Sequence, residues 1–251
     1  MEKYYDMTSF QNFLRDCNVI LTSRQEVQFI QYYELLTEWN SFMNLTAITE
    51  FHDVVRKHFI DSLSLLKAFP DLGSRSYCLI DVGTGAGFPG IPLKIIFPGL
   101  KITLLDSLNK RVDFLKEVIA VLELHDINAV HGRAEDNARN GRMRESFDFC
   151  VSRAVANLAT LAEYCLPFVK KDGYFISYKS EKIMEEFENA KKAIRVLGGK
   201  YERRLDFYLP DSEIYRNLFI IKKEGQTPLR FPRKAGIPSK EPIGGNQNGN
   251  K

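Results

Sequence analysis

Long apolar runs, paired cysteines and a dominant charge are all missing from this chain of 251 residues. No stretch approaches the eighteen or so uninterrupted apolar residues of a membrane-spanning helix, which excludes an integral helical membrane protein. The four cysteines, Cys17, Cys78, Cys150 and Cys165, stand far apart, with no Cys-x-x-Cys pair, among apolar neighbours. They read as reduced, mostly buried small hydrophobes, not disulfide partners. The four histidines, His52, His58, His125 and His131, form no zinc-ligand spacing with one another or with the cysteines, so no metal site is expected. The opening Met1-Glu2-Lys3-Tyr4-Tyr5-Asp6 has neither a basic region before an apolar stretch nor a small-residue cleavage site. A cytoplasmic location is expected, and without secretion Asn44-Leu45-Thr46 loses its meaning as a glycosylation acceptor.

The 44% hydrophobic and 27% charged fractions are those of a folded globular protein, with enough chain for a real core. Length allows one large domain, or one domain with appendages. The net charge of +3 is unevenly placed. From Lys222 onward seven basic residues face only Glu224 and Glu241, a segment at +5, which leaves about −2 on residues 1–221. A near-neutral body with a basic tail points to a polyanionic partner reached partly through the tail. A tail that merely solvates the protein is the plainer alternative.

Residues 1–70 read as helices. Ser23 with Glu26 forms a capping signal, and a second amphipathic stretch runs from about Glu50 to Phe69 before Pro70-Asp71-Leu72-Gly73-Ser74 breaks it. Strands and helices then alternate. Strands are expected at 77–81, 101–106, 127–131, 147–151 and 174–178, with helices at 89–97, 110–122, 157–169 and 181–197. Two further strands, 202–209 and 217–222, follow with no helix between them and should pair as an antiparallel hairpin. The pattern is that of a doubly wound α/β sheet made mixed by its closing hairpin. Three segments are expected: a helical extension at 1–72, the sheet domain at 73–224 and a basic Pro-rich tail at 225–251. The prolines at 228, 232, 238 and 242 should keep helix and strand out of that tail, which is expected to bury no core. Residues 246–251 are expected to lack fixed structure.

The sharpest feature is Asp81-Val82-Gly83-Thr84-Gly85-Ala86-Gly87-Phe88-Pro89-Gly90, which follows a strand and opens a helix. Its glycines permit a tight turn and let a ligand lie against the main chain. Two registers compete. Gly85-x-Gly87-x-x-Gly90 fits a dinucleotide fingerprint, and Asp81-x-Gly83-x-Gly85-x-Gly87 fits the first motif of S-adenosyl-L-methionine-dependent methyltransferases. Asp106 ends the next strand, where an acid accepts hydrogen bonds from ribose hydroxyls in both families. Asp81, useful beside a sulfonium and an amine, and the closing hairpin favour the methyltransferase.

Asn44-Leu45-Thr46, His58-Phe59-Ile60-Asp61-Ser62, the loop itself, Leu105-Asp106-Ser107 with Lys110-Arg111, Arg133-Ala134-Glu135 and Ser152-Arg153-Ala154-Val155 occur in that order. Together they resemble the small-subunit ribosomal RNA methyltransferase G family, also called glucose-inhibited division protein B. The ending Phe231–Pro242 is similar to the tail of its Gram-positive members. The resemblance covers residues 8–243. It implies a Rossmann-like class I methyltransferase fold with a mostly parallel seven-stranded sheet. It also implies methyl transfer from S-adenosyl-L-methionine to N7 of a guanine in 16S rRNA, on the small ribosomal subunit or its precursor, by a cytoplasmic monomer. By the same resemblance Gly83, Thr84, Gly85, Gly87 and Phe88 would contact the cofactor from the loop and Asp106 would bind its ribose. Ala134 and Glu135 would flank the adenine, and Arg153 would lie beside cofactor and target base as the catalytic, positioning residue. Without it, Phe88 reads as core, Glu135 as a solvated acid in the charged stretch 133–142, and His58 with Asp61 as an inter-helix polar contact. Arg230, Arg233, Lys234 and Lys240 are the RNA-binding candidates.

The chemistry agrees with the missing motifs. Guanine N7 carries a lone pair and no proton, so its attack on a methyl group needs no general base, and the thioether leaves as a neutral molecule. Rate then comes from alignment in a dry site. There is no Asn/Asp-Pro-Pro-aromatic tetrapeptide of amino-group methyltransferases and no cysteine placed for attack on a pyrimidine. The alternatives are an RNA-binding assembly factor with a vestigial cofactor fold and, behind it, an NAD-dependent dehydrogenase.

Overall fold

The computed structural model describes residues 5–139, 141–153, 156–180 and 183–244. Ala154 and Val155 of the Ser152–Val155 motif, and the terminal segment expected to lack structure, lie outside the described residues. The chain opens with α1 (Thr8–Asp16) and α2 (Ser23–Met43). A helical run follows, built of α3 (Phe51–Val54), a π-helical stretch (Val55–Ile60), α4 (Asp61–Leu63) and α5 (Leu65–Ala68). The cap of α2 is Thr22, one residue earlier than expected. Its backbone is extended (φ −82°, ψ 157°), its hydroxyl accepts from Gln25 N, and the Gln25 side chain accepts from Thr22 N. That reciprocal box satisfies two orphan donors, and Ser23 already lies inside the helix.

Alternation then begins: β1 (Cys78–Val82), α6 (Gly90–Ile96), β2 (Lys101–Asp106), α7 (Asn109–Val121), β3 (Ile127–His131), α8 (Ala134–Arg139), β4 (Phe147–Ser152) and α9 (Leu158–Cys165). A 3-10 turn at Leu166–Phe168 leads into β5 (Val169–Lys179), then α10 (Ile183–Val196), β6 (Gly199–Tyr208), β7 (Tyr215–Lys223) and α11 (Ile237–Lys240). The seven strands lie in the order β3-β2-β1-β4-β5-β7-β6, with β7 antiparallel to both neighbours and the other pairs parallel. This is the mixed, mostly parallel seven-stranded sheet with a closing hairpin.

β5 begins five residues before its expected start and takes in Lys170-Lys171-Asp172-Gly173, whose Asp-Gly pair has the chemistry of a turn. The strand absorbs that turn where its pairing with β4 shifts register, with Asp172 at φ +66°. A Cβ on Gly173 would lie 2.6 Å from Asp148 O, so the close approach of the two strands requires glycine there. The helix expected to reach residue 169 therefore stops at Cys165. α8 lies in the charged stretch 133–142, where no helix was expected.

Both sheet faces are covered, as parallel strands require. On one face Leu79, Leu104, Phe149 and Ile176 pack with Phe10, Phe29, Tyr32 and Phe59 of the N-terminal helices and with α6 and α7. On the other, Ile80, Leu105, Cys150 and Phe175 meet α9 and α10. Successive strand residues alternate between these two cores. Cys150 and Cys165 are buried as expected of small hydrophobes, whereas Cys17 and Cys78 are half-buried.

The tail corrects its expectation. Phe231 joins the second core, Thr227 and Pro238 are buried, and prolines do not prevent the short α11, where Pro238 sits in the first turn. A proline there gives up only an N–H that has no helical partner. Residues 225–244 form a strap laid across the body.

Candidate active site

The loop after β1 is held from below. Asp81 is fully buried, and its Oδ2 accepts from Thr84 Oγ1 (2.7 Å) and Gly90 N (2.9 Å). Burial raises the Asp81 carboxyl from 3.8 to about 6, against the lowering pull of those two hydrogen bonds. The sequence suggested an acid facing a sulfonium; in the structure Asp81 instead clasps both ends of its own loop. Gly83 and Thr84 donate to Leu105 O, tying the end of β1 to that of β2. Asp106 closes the knot: Oδ2 accepts from Gly85 N and Oδ1 from Leu108 N, both at 2.9 Å, with Arg111 Nη1 at 3.6 Å. Each carboxylate oxygen has two lone-pair sites, so these bonds leave room for ribose hydroxyls.

Above this knot lies a cavity of about 400 Å³ over the carboxyl ends of β1, β2 and β3. That volume lies in the range of small-molecule sites, and the edge is where doubly wound sheets bind ligands. Its walls are Val82 and Gly83, Leu105, Ser107 and Leu108, and Gly132 to Glu135, with Leu161 and Tyr164 from α9. Gly83 (φ +71°) and Gly85 (φ +61°) hold left-handed backbone that glycine adopts freely, and a Cβ on Gly85 would meet nothing within 4 Å. The open backbone at Gly83 and the mixed lining suit an adenosine moiety, whereas Gly85 and Asp106, the latter 3% exposed, are not among the residues that line the cavity. Glu135 is buried at 5% exposure and not solvated, its Oε1 accepting from Gly236 N at 2.8 Å.

The remaining loop candidates lie elsewhere. Thr84 points down to Asp81. Gly87 (φ +98°) is wedged under Tyr32 and Ile91, whose atoms a Cβ would meet at 2.8 Å and 2.4 Å. Phe88 is buried, with Tyr32 at 5.3 Å, His58 stacked at 4.6 Å and the Arg153 guanidinium 5.0 Å from its ring centre. It is therefore both core and floor to Arg153. Tyr32, whose hydroxyl donates to Ala86 O, was not among the expected residues. A tyrosine at core spacing in α2 carries no sequence signal for a loop some fifty residues away.

Arg153, just beyond β4, sits in a second cavity of about 500 Å³ with His58, Asp61, Tyr178, Lys179 and Arg216. Its Nη1 donates to Asp61 Oδ2 (3.0 Å) and Lys57 O (3.1 Å), and Nη2 lies 3.2 Å from His58 Nδ1. Arg216 Nε approaches the other Asp61 oxygen at 3.4 Å. Among the described residues, His58 and Asp61 meet Arg153, with Thr46 and Arg216 as their further partners, rather than a polar group of another helix. Burial, then the Arg153 charge, lowers the His58 pKa from 6.5 to about 3, so the ring is neutral. Its Nε2 lies 2.9 Å from Thr46 Oγ1, and its Nδ1, besides the Arg153 contact, lies 3.1 Å from Lys57 O. The π-helical stretch that carries His58 is a local irregularity of a kind that gathers at functional sites.

Of the basic tail candidates, Arg230, Lys234 and Lys240 are exposed. Arg233 is engaged: its guanidinium and backbone N bind Glu163, which is fully buried, at 2.7–3.1 Å. The Arg233 side chain, 26% exposed, thus already has a charged partner that a phosphate contact would have to share. Among the described residues, no group of three or more His, Cys, Asp or Glu could hold a metal ion, and no helix is long and apolar enough to cross a membrane.

A family model described as rRNA small subunit methyltransferase G matches residues 25–214. A protein of Lachnoclostridium phytofermentans named ribosomal RNA small subunit methyltransferase G is 55% identical over 95% of this chain and 98% of its own. One of the same name from Clostridium botulinum is 50% identical over 93% and 97%. Among solved structures, the fibrillarin pre-rRNA processing protein of Methanococcus jannaschii superposes with a TM-score of 0.51 at 18% identity, covering 66% of this chain and 76% of that one. A mutant of MtNAS in complex with S-adenosylmethionine gives 0.52 at 15%, over 86% and 76%. These two likenesses bear on the fold alone.

Proposed function

The chain belongs to the rRNA small subunit methyltransferase G family, and from that premise we propose that it methylates N7 of a guanine in 16S rRNA. It is an S-adenosyl-L-methionine-dependent methyltransferase acting on small-subunit ribosomal RNA. The observation that carries the assignment of its site is the cavity over β1–β3, where Gly83, Ala134 and Glu135 meet and Asp106 ends β2. The cofactor supplies an electrophilic methyl group on a sulfonium. Gly83 and Gly85 let it approach the backbone, Asp106 accepts from its ribose, and Ala134 with Glu135 border its adenine. Thr84, Gly87 and Phe88 shape the loop beneath it and do so from buried positions. Arg153, braced by Asp61 and the face of Phe88, presents a fixed cation where the base enters.

In this reading the segments divide the work. Residues 1–72 brace loop and Arg153, residues 73–224 carry the cofactor, and residues 225–251 add Arg230, Lys234 and Lys240 toward RNA phosphates. The protein works as a monomer in the cytoplasm, where its ribosomal substrate is assembled. Chemical-cleavage mapping of 7-methylguanine in rRNA from cells with and without the gene tests the reaction. A site lost with the gene and restored by it is expected; unchanged modification would refute the assignment. Calorimetry separates the alternatives, since a dehydrogenase binds NAD and a vestigial factor binds neither NAD nor adenosylhomocysteine.

A further inference from the structure

The strap after β7 is anchored along its whole described length. Thr227 N donates to Glu145 Oε1 at 2.7 Å, and the Arg144 guanidinium binds Thr227 O and Phe231 O at 2.6 Å and 2.8 Å. Arg139 Nε holds Pro232 O at 2.9 Å, Arg233 grips Glu163, and Thr160 Oγ1 donates to Pro238 O at 3.0 Å. These anchors fix where the chain passes between Arg233 and Pro238, and it passes over the rim of the cavity above β1–β3. Gly236 and Ser239 are part of that cavity's lining. Gly236 has φ +84° and ψ −16°, so its N–H turns in toward Glu135 Oε1, and a Cβ there would meet nothing within 4 Å.

We propose that the strap is a wall of the cofactor pocket, with Gly236 as a positioning residue that holds Glu135 against the adenine end through its N–H. The inference rests on the reading of this cavity as the cofactor site. Two physical effects follow from the geometry. The strap removes one side of the cavity from water, which strengthens hydrogen bonds to a bound adenosine and buries its ring. A buried carboxylate that accepts a backbone N–H is fixed in direction before the ligand arrives, so less ordering accompanies binding. The left-handed backbone at Gly236 is what aims that N–H, and a β-branched residue cannot adopt it without strain. A tail serving RNA alone has no need of this contact, whereas its exposed cations lie at other positions on the same segment.

The test uses the full chain throughout. In the Ser239→Cys variant, alkylation of the introduced thiol is followed by peptide mapping with and without saturating adenosylhomocysteine. At least tenfold protection is expected if the strap borders the bound ligand; equal rates would overturn the proposal. In parallel, Gly236→Val should raise the KM for S-adenosyl-L-methionine tenfold or more while leaving kcat at saturating cofactor, and RNA affinity, within about threefold. An unchanged KM, or a loss confined to kcat or RNA binding, would equally sink it. Because the wild-type protein is titrated with adenosylhomocysteine first, failure of the cofactor reading shows there as no binding, distinct from a bound but unprotected strap.

Discussion

Arg153 and its neighbours concentrate the charge chemistry of the second cavity in a few atoms. Asp61 is 3% exposed and spends one oxygen on Arg153 and turns the other toward Arg216. Arg153→Ala should therefore lose most methyl transfer and also cost stability, about 1–3 kcal/mol, by leaving that carboxylate short of a donor. Adding Asp61→Asn should return much of the stability and none of the activity, a combination that urea unfolding with single-turnover assays resolves. Single-residue independence, with full activity in Arg153→Ala, would make the arginine purely structural. His58 makes a pH statement. Its folded pKa of about 3 lies below the unfolded 6.5, so the unfolded chain binds the extra proton and stability falls as pH drops from 6.5 toward 3. Asp81, raised to about 6 from 3.8, acts oppositely and gains stability as pH falls through that interval. His58→Gln should remove the first contribution and leave the second, cutting the loss between pH 7 and pH 5 by about 2 kcal/mol in denaturant titrations.

At the scale of elements, α2 and the glycine loop form one unit. Tyr32 reaches from the helix to Ala86 O, and Gln25 Nε2 donates to Ile95 O at 2.8 Å at the end of α6. The N-terminal helices thus brace from above a loop that Asp81, Leu105 and Asp106 of the sheet already hold from below. Gly87→Ala places a Cβ into Ile91 and the Tyr32 hydroxyl at φ +98°, so it should destabilise by roughly 1–3 kcal/mol and loosen cofactor binding with it. Paired with Tyr32→Phe, its two effects should be less than additive, because both release the same loop. Additive unfolding energies would mean that helix and loop act separately.

For the whole molecule, the strap joins the second core, the buried Glu163 and the first cavity's rim. Arg233→Ala takes the guanidinium from the fully buried Glu163, leaving it the backbone N–H of residue 233, and should cost about 3 kcal/mol, read as a lowered unfolding midpoint. Replacing Arg230, Lys234 and Lys240 together by glutamine should leave that midpoint alone and flatten the salt dependence of RNA affinity by about 2 log units per log unit of salt. A midpoint that falls with the three glutamines, or a slope that stays, would place the RNA surface elsewhere.

Local pattern was sufficient for the order of the seven strands and of α6, α7, α9 and α10 among them, though not for α8 or α11, and for the glycine loop and the acid closing β2, because periodicity and turn chemistry are written in neighbouring residues. The start of β5 escaped it, since the Lys170–Gly173 stretch joins a strand only because β4 pairs on both sides of it, at Val169 and again at Tyr174. So did the burial of Glu135, the engagement of Arg233 and the service of Tyr32, His58 and Asp61 to loop and arginine. Each of those depends on groups tens of residues distant, whose approach is set by how two covered sheet faces pack and not by any nearby residue. Composition correctly marked the tail as basic and proline-rich. Whether it lay in solvent or across the cavity was decided by anchors spread over the body, Arg139, Arg144, Glu145 and a fully buried carboxylate in α9 among them, and that is a property of the folded chain alone.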